Sequence, residues 1–243
     1  MRRVIDLSRW NRVYDFVKLK NAIDAVVIRM GYRGYTSGEI AWDRKFMEFV
    51  AGCMKYGIPY SVYFFPSSVN LGEAYEEAEF IFQAIKRLDL CMPVYLDSEV
   101  ADAKFHKGRA DQLGAPERTK LLNAILAYLK ERNVPAGVYA STSWFRVQLE
   151  DEKLHCPKWV AQYGQALKYQ GDVTMWQYTS RGRVDGVYGS VDLSYWYHNK
   201  ALPKVAEEVI SGHFGNDVVR KKLLIASGYD YEKVQNYVNR HFH

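Results

Sequence analysis

The stretch Met92–Val100, MPVYLDSEV, sets two carboxylates, Asp97 and Glu99, into one short apolar run. Side chains two apart on a β-strand point to the same face, so both acids are expected to look into one pocket. Two acids held together can divide their labour, one protonated and the other ionised, which is what general acid catalysis on an acid-labile bond requires. The plain alternative is that the strand ends here and both acids are solvated. Asp6 lies in the middle of another apolar run, Val4 to Ser8. A carboxylate there must be paired or face a cavity, because an isolated buried charge is costly.

The elements that would position these acids follow from periodicity. Continuous apolar runs predict strands at Val4–Ser8, Ala25–Met30, Tyr60–Phe65, Met92–Val100 and Ala136–Ala140, with further runs at Trp159–Tyr163, Met175–Tyr178 and Val187–Leu193. Helical spacing covers Trp42–Tyr56, closed by Gly57, then Leu71–Leu88, opened by Asn70, and Pro116–Arg132, with a shorter piece at Trp144–Leu149. An amphipathic piece is expected over Val13–Leu19. The Gly-rich stretch Gly31–Gly38 lacks the spacing of a phosphate loop and is expected to be a loop at a strand end. Eight strand candidates, the early ones alternating with helices, predict an α/β fold: a TIM-like β/α barrel with an irregular second half. A barrel carries its site at the C-terminal ends of its strands, where Asp6, Asp97, Glu99 and Asp192 would converge as the first and eighth strands meet.

After Pro203 the pattern changes to three short helices, Pro203–Ser211, Asp217–Ser227 and Tyr231–His241. Gly212 and Gly228 stand at C-cap positions, Asn216 and Asp230 at N-cap positions. The expected division is a barrel over residues 1–198 and a small all-α module over 203–243.

Composition narrows the function classes. The 243 residues are 48% hydrophobic and 15% aromatic, with 19 Tyr and 6 Trp, and flat amphipathic rings suit sugars as well as large cores. The net charge of +5 favours a polyanion, yet no basic cluster interleaved with aromatics forms a nucleic-acid motif, and Arg220-Lys221-Lys222 is expected to be one solvated helix face. Cys53, Cys91 and Cys156 are isolated, odd in number and expected to be free thiols. No Cys or His pair has metal-site spacing. The start MRRVIDLSRW has no apolar leader and no stretch approaches a membrane span, so synthesis in the cytoplasm without a signal peptide is expected, with action on the cell wall after release.

Taken in order, VIDLSRW, VVIRMGY, GIPYSVYFF, PVYLDSEV, GVYAS, WVAQY and MWQYTSRGRVDGVYGSVDLSYW resemble the family 25 glycoside hydrolases, lysozyme-type N-acetylmuramidases common among phage endolysins and bacterial autolysins. The tail, specific in GYDYEKVQ, is similar to three-helix repeats that bind peptidoglycan behind some phage lysozymes, with Phe214 where a Trp is usual. The resemblance implies that Glu99 is the general acid/base, that Asp97 orients the substrate's N-acetyl group in substrate-assisted cleavage, and that Asp6 and Asp192 are further acids flanking the pocket. It makes Tyr63, Tyr139, Trp159, Tyr163 and Trp176 candidates for lining the sugar groove. Phe64 stands where many relatives have His. The implied activity is hydrolysis of the β-1,4 bond between N-acetylmuramic acid and N-acetylglucosamine in bacterial peptidoglycan, with no metal or organic cofactor, no nucleic-acid partner and no membrane insertion. The alternatives are a chitinase-like glycosidase acting on N-acetylglucosamine polymers and a glycan-binding protein without catalysis.

Overall fold

The computed structural model describes residues 2–101, 104, 107–197, 202–227 and 229–242. Its first strands and helices alternate: β1 (Arg2–Leu7), α1 (Phe16–Ala22), β2 (Ala25–Arg33), β3 (Ile40–Trp42), α2 (Phe46–Tyr56), β4 (Tyr60–Phe65), α3 (Leu71–Ile85), β5 (Val94–Asp97) and α4 (Ala115–Glu131). Then come β6 (Ala136–Ser141), α5 (Thr142–Val147), β7 (Lys158–Ala161), β8 (Met175–Gly182) and β9 (Val191–Trp196).

Eight of these strands close a barrel. From β1 through β2, β4, β5, β6, β7 and β8 every pairing is parallel, and β9 runs antiparallel to both β8 and β1, completing the ring. The irregular second half expected from the sequence has a simple cause. No helix separates β8 from β9, so the chain turns straight back, and a direct return can only be antiparallel.

Local chemistry explains the helices around the early strands. Asp15 caps α1 by accepting from the amides of Val17 and Lys18, and Asn70 caps α3 by accepting from Glu73 N at 3.0 Å. Gly57, at φ 63°, ends α2 in the left-handed conformation and sends its N–H back to Cys53 and Met54. Strand residues such as Ile5, Ile28, Val62, Leu96 and Val138 face outward into the layer formed with α2, α3 and α4. Their neighbours Val4, Val27, Tyr63, Tyr95, Trp159 and Met175 fill the barrel's interior.

Several expectations need correction. Gly31–Arg33 continues β2 rather than opening a loop, and pairs with β3, a strand that lies between the expected loop and the expected helix and takes in only Trp42 of the latter. Gly31 permits it: a Cβ there would stand 2.5 Å from the Ala41 carbonyl oxygen. The strand expected over Met92–Val100 stops at Asp97, because its ladder with β6 ends at the Asp97–Tyr139 pair. Val187 is not in the last strand; it forms an isolated bridge with Val13, and β9 begins at Val191 after a turn at Gly189 (φ +74°).

The C-terminal helices α6 (Leu202–Ile210), α7 (Asp217–Ala226) and α8 (Tyr231–His241) enclose their own small core of Val205, Ala206, Val209, Leu224, Val234 and Val238. The expected cap at Gly228 lies outside the described residues. Asp230 caps α8 through Lys233 N, whereas the Asn216 side chain makes no cap bond and accepts from Arg220 instead. Arg220-Lys221-Lys222 is not simply a solvated face: Arg220 also bonds Gly215 O and Gln235, and Lys222 pairs with Asp89 of the barrel. Further polar contacts join the two parts, among them Lys204 with Asp172 at 2.9 Å, Lys130 with Ser211 O at 2.8 Å and Asn216 N with Asn133 at 2.7 Å.

Candidate active site

Strand alternation delivers one inward residue after another to the barrel mouth. Asp6 on β1, Tyr63 on β4, Asp97 on β5, Tyr139 on β6, Trp159 on β7, Gln177 on β8 and Asp192 on β9 line one pocket together with Glu99. The pocket opens into a cleft of about 730 Å³ that adds Arg9, Trp10, Asn11, Arg29, Tyr32 and Tyr35. All four acids singled out by the sequence therefore meet. Glu99 reaches the pocket from just beyond the end of β5, where its side chain is exposed in the cleft, while Asp97 is buried beneath it.

Electrostatics separates the acids. Asp97 is pushed well above the usual carboxylate range, first by burial and then by the charges of Glu99 and Asp6. Its Oδ1 is buried with no hydrogen-bond partner among the described residues. Asp6 is raised as strongly, by burial and by Asp192, its register partner across the β1–β9 seam. Asp192 itself is raised by burial, an effect moderated by its hydrogen bond from Asp6. Glu99, although open to the cleft, is raised by the solvent it loses among the surrounding walls and by Asp192, while Arg29 pulls it down. Carboxyls crowded in a poorly solvated mouth cannot all ionise, so the cluster retains protons where isolated carboxylates would have lost them.

A hydrogen-bonded frame holds this arrangement. Gln177 Nε2 donates to Asp6 Oδ2 at 3.0 Å, and Gln177 Oε1 accepts from Tyr139 OH at 2.9 Å and Tyr163 OH at 3.2 Å. Arg29, the cation inside the apolar run of β2, is held through Nε to Asp43 Oδ2 at 2.7 Å. Trp144 Nε1 donates to Ser98 Oγ at 3.0 Å, and Ser98 N to Tyr139 O at 2.8 Å, fixing the residue between Asp97 and Glu99.

The aromatic candidates divide. Tyr63 and Tyr139 line the pocket, and Tyr163 is an exposed ring that reaches it only through its hydroxyl on Gln177. Trp159 closes the floor, 1% exposed, with its edge against Tyr63, Tyr95 and Tyr139 and its indole N–H on Ser194. Trp176 is a correction: alternation along β8 turns Met175 and Gln177 inward and Trp176 outward, where it packs against Tyr178 and Tyr195 and donates to Gln162 O. Sequence reasoning passes over Gln177, Arg29, Trp10, Tyr32 and Tyr35. An Arg inside AVVIRM is the one available signal, since a cation in an apolar strand calls for nearby acids. Among the described residues no group of three or more His, Cys, Asp or Glu is placed to hold a metal ion. Burial pushes the thiols of Cys53, Cys91 and Cys156 up to about 12, which leaves them unreactive, and none is in a disulfide.

Comparison with known proteins places this geometry. The autolytic lysozyme of Clostridium acetobutylicum is 25% identical over 174 residues, covering 71% of this chain and 50% of that protein. The modular autolysin LytC from Streptococcus pneumoniae, solved in complex with a synthetic peptidoglycan ligand, is 28% identical with a TM-score of 0.70 over 81% of this chain and 46% of its own. The chain thus spans about half the length of these two relatives. The catalytic domain of endolysin ply40, from bacteriophage P40 of Listeria monocytogenes, shares the fold at 24% identity, with a TM-score of 0.64 over 81% of this chain and 93% of that one. The CW_7 repeat matches residues 203–242, the three-helix tail. Residues 5–187 match glycosyl hydrolases family 25, and the chain belongs to that family.

Proposed function

We propose that this protein is a muramidase that hydrolyses the β-1,4 bond between N-acetylmuramic acid and N-acetylglucosamine in bacterial peptidoglycan. The observation that carries the reading is the pairing of an accessible Glu99, with raised proton affinity, and a buried Asp97 whose Oδ1 has no partner among the described residues, in one cleft with Asp6 and Asp192. Family membership and the likeness to the autolytic lysozyme and to LytC support the same reaction class.

In this scheme Glu99 keeps its proton until the glycosidic oxygen arrives and delivers it as the bond breaks. Positive charge then develops at the anomeric carbon. Asp97, ionised in the complex that reacts, accepts the N–H of the substrate's acetamido group, so that the amide oxygen bonds to the anomeric carbon as the leaving group departs with the proton of Glu99. Glu99, now a carboxylate, takes a proton from the incoming water. Asp6 and Asp192 keep the mouth negative, which stabilises the cationic transition state. Tyr63, Tyr139 and Tyr163 supply ring faces and hydroxyls to the sugars. The three-helix tail is proposed to bind the wall.

Mass spectrometry of peptidoglycan digests tests the reading, because the sugar at each new reducing end identifies the bond. N-acetylmuramic acid is expected there. Release of N-acetylglucosamine ends, or of none, refutes it. Glu99→Gln should lower kcat by roughly 10²–10⁴ while wall binding persists.

A further inference from the structure

Beyond the cleft, the structure builds a second aromatic surface from two segments that lie far apart in the chain. The β1–α1 segment and the β8–β9 connection are clipped together by the Val13–Val187 bridge, by Tyr14 N to Gly186 O at 2.8 Å and by Tyr188 N to Arg12 O at 2.9 Å. The clip sets Tyr14 and Tyr188 ring to ring, centroids 4.6 Å apart, with 46% and 55% of their surfaces exposed. Val17 beside them is also exposed. Rings fixed by backbone pairing yet left in solvent contribute little to the core, and a rigid exposed aromatic patch is a characteristic of binding surfaces.

Cations flank the rings. The Arg12 guanidinium stands 4.9 Å from the Tyr188 centroid and Lys18 Nζ 5.7 Å from that of Tyr14. Among the described residues neither forms an ion pair. Of the carboxylates in the same two segments, Asp15 is engaged in capping α1, and Asp185 is exposed. The surface adjoins the cleft, whose wall includes Arg9, Trp10 and Asn11 from the same segment, and Arg9 lies 4.6 Å over the Trp10 ring. Three residues separate Trp10 of the cleft wall from Tyr14 of the pair.

We propose that the Tyr14–Tyr188 pair, with Arg12 and Lys18, is an outer binding surface that holds the carboxylate-bearing peptidoglycan strand beyond the cleaved bond. The inference rests on the muramidase reading for the identity of the strand. Rings suit the C–H faces of its sugars, and Arg12 and Lys18 suit the carboxylates of its peptide stems. The surface would make the enzyme prefer long, peptide-bearing strands to short, bare glycans.

The test uses the full chain and purified sacculi freed of phosphate-bearing polymers. Cosedimentation is measured for the wild type, Tyr14→Ala/Tyr188→Ala and Arg12→Glu/Lys18→Glu, with turnover followed on the same sacculi and on a short soluble glycan without peptides. Expected are an apparent Kd weakened about tenfold in each double variant, a matching fall in turnover on sacculi, and unchanged turnover of the short glycan. Removing the stem peptides from the sacculi should erase the difference between wild type and Arg12→Glu/Lys18→Glu. Unchanged binding in both variants, an equal loss on the short glycan, or wild-type binding that appears only when the phosphate polymers are left in place overturns the proposal. If the wild type binds sacculi through these residues but releases no muramic acid ends, the muramidase reading fails and the surface stands.

Discussion

Asp6 and Asp192 face each other as register partners across the antiparallel β1–β9 seam, and burial together with the charge of Asp192 raises the proton affinity of Asp6. The seam exists because β9 turns back on β8, so the antiparallel closure of the barrel is what brings the first and last acids together. Asp192 also raises Glu99, which links the closure to the proton proposed to act in catalysis.

Replacing Asp192 by Asn should therefore move the alkaline limb of the kcat/KM profile. With the like charge gone, Glu99 loses its proton at lower pH, and the limb shifts toward acid by roughly one unit or less, since burial, the larger cause, remains. A pH profile of the variant checks this, and an unmoved or alkaline-shifted limb contradicts the assignment.

Asp97→Asn should lower kcat by about 10² or more and yet stabilise the fold. Asp97 is raised well above its usual range, so its contribution to stability is fully present below the unfolded value and is lost as pH rises through the folded one. Asn carries no such penalty. Denaturant unfolding should show the variant more stable by about 1–2 kcal/mol at pH 7, with the gap closing near pH 4. A gap of the opposite sign at pH 7 would argue that Asp97 is ionised and compensated in the free protein.

Glu77 tests the wall of the cleft rather than its chemistry. Buried on α3, it accepts from Arg33 Nε at 2.9 Å and Ser67 N at 3.0 Å, while Arg33 also bonds Gly38 O and Glu76. Burial, opposed by these donors, leaves its pKa at about 7. Glu77→Ala strands the buried Arg33 guanidinium and should cost about 3–5 kcal/mol in denaturant unfolding. A cost below about 1 kcal/mol would show that Glu76 and the carbonyls suffice.

Gly186 holds the two segments of the outer surface together at φ +95°, and a Cβ there would stand 2.3 Å from Asp15 O and 2.7 Å from Leu19 N. Gly186→Ala must displace the start of α1 and should lower stability by about 1–3 kcal/mol. Thermal unfolding measures the loss. A variant as stable as the wild type would mean that the clip gives way without strain.

Much of this protein is legible in its sequence, because strand and helix periodicity are local. Tyr60–Phe65 forms β4 over the same residues as expected, Asn70 and Gly57 cap the helices whose ends they mark in the sequence, and the apolar runs holding Asp6 and Asp97 become strands of the barrel. Acids in apolar runs are a local signal as well, which is why Asp6 and Asp97 stand out. Other features were decided by tertiary structure alone. Pairing decided that β3 exists, that β5 ends before Glu99 and that β9 is antiparallel, since a ladder depends on a partner distant in the chain. Register decided that Trp176 faces outward, one residue from the inward Gln177. Tyr14, just after the first strand, and Tyr188, just before the last, meet only because the barrel closes, and their neighbourhood has no counterpart in either segment by itself.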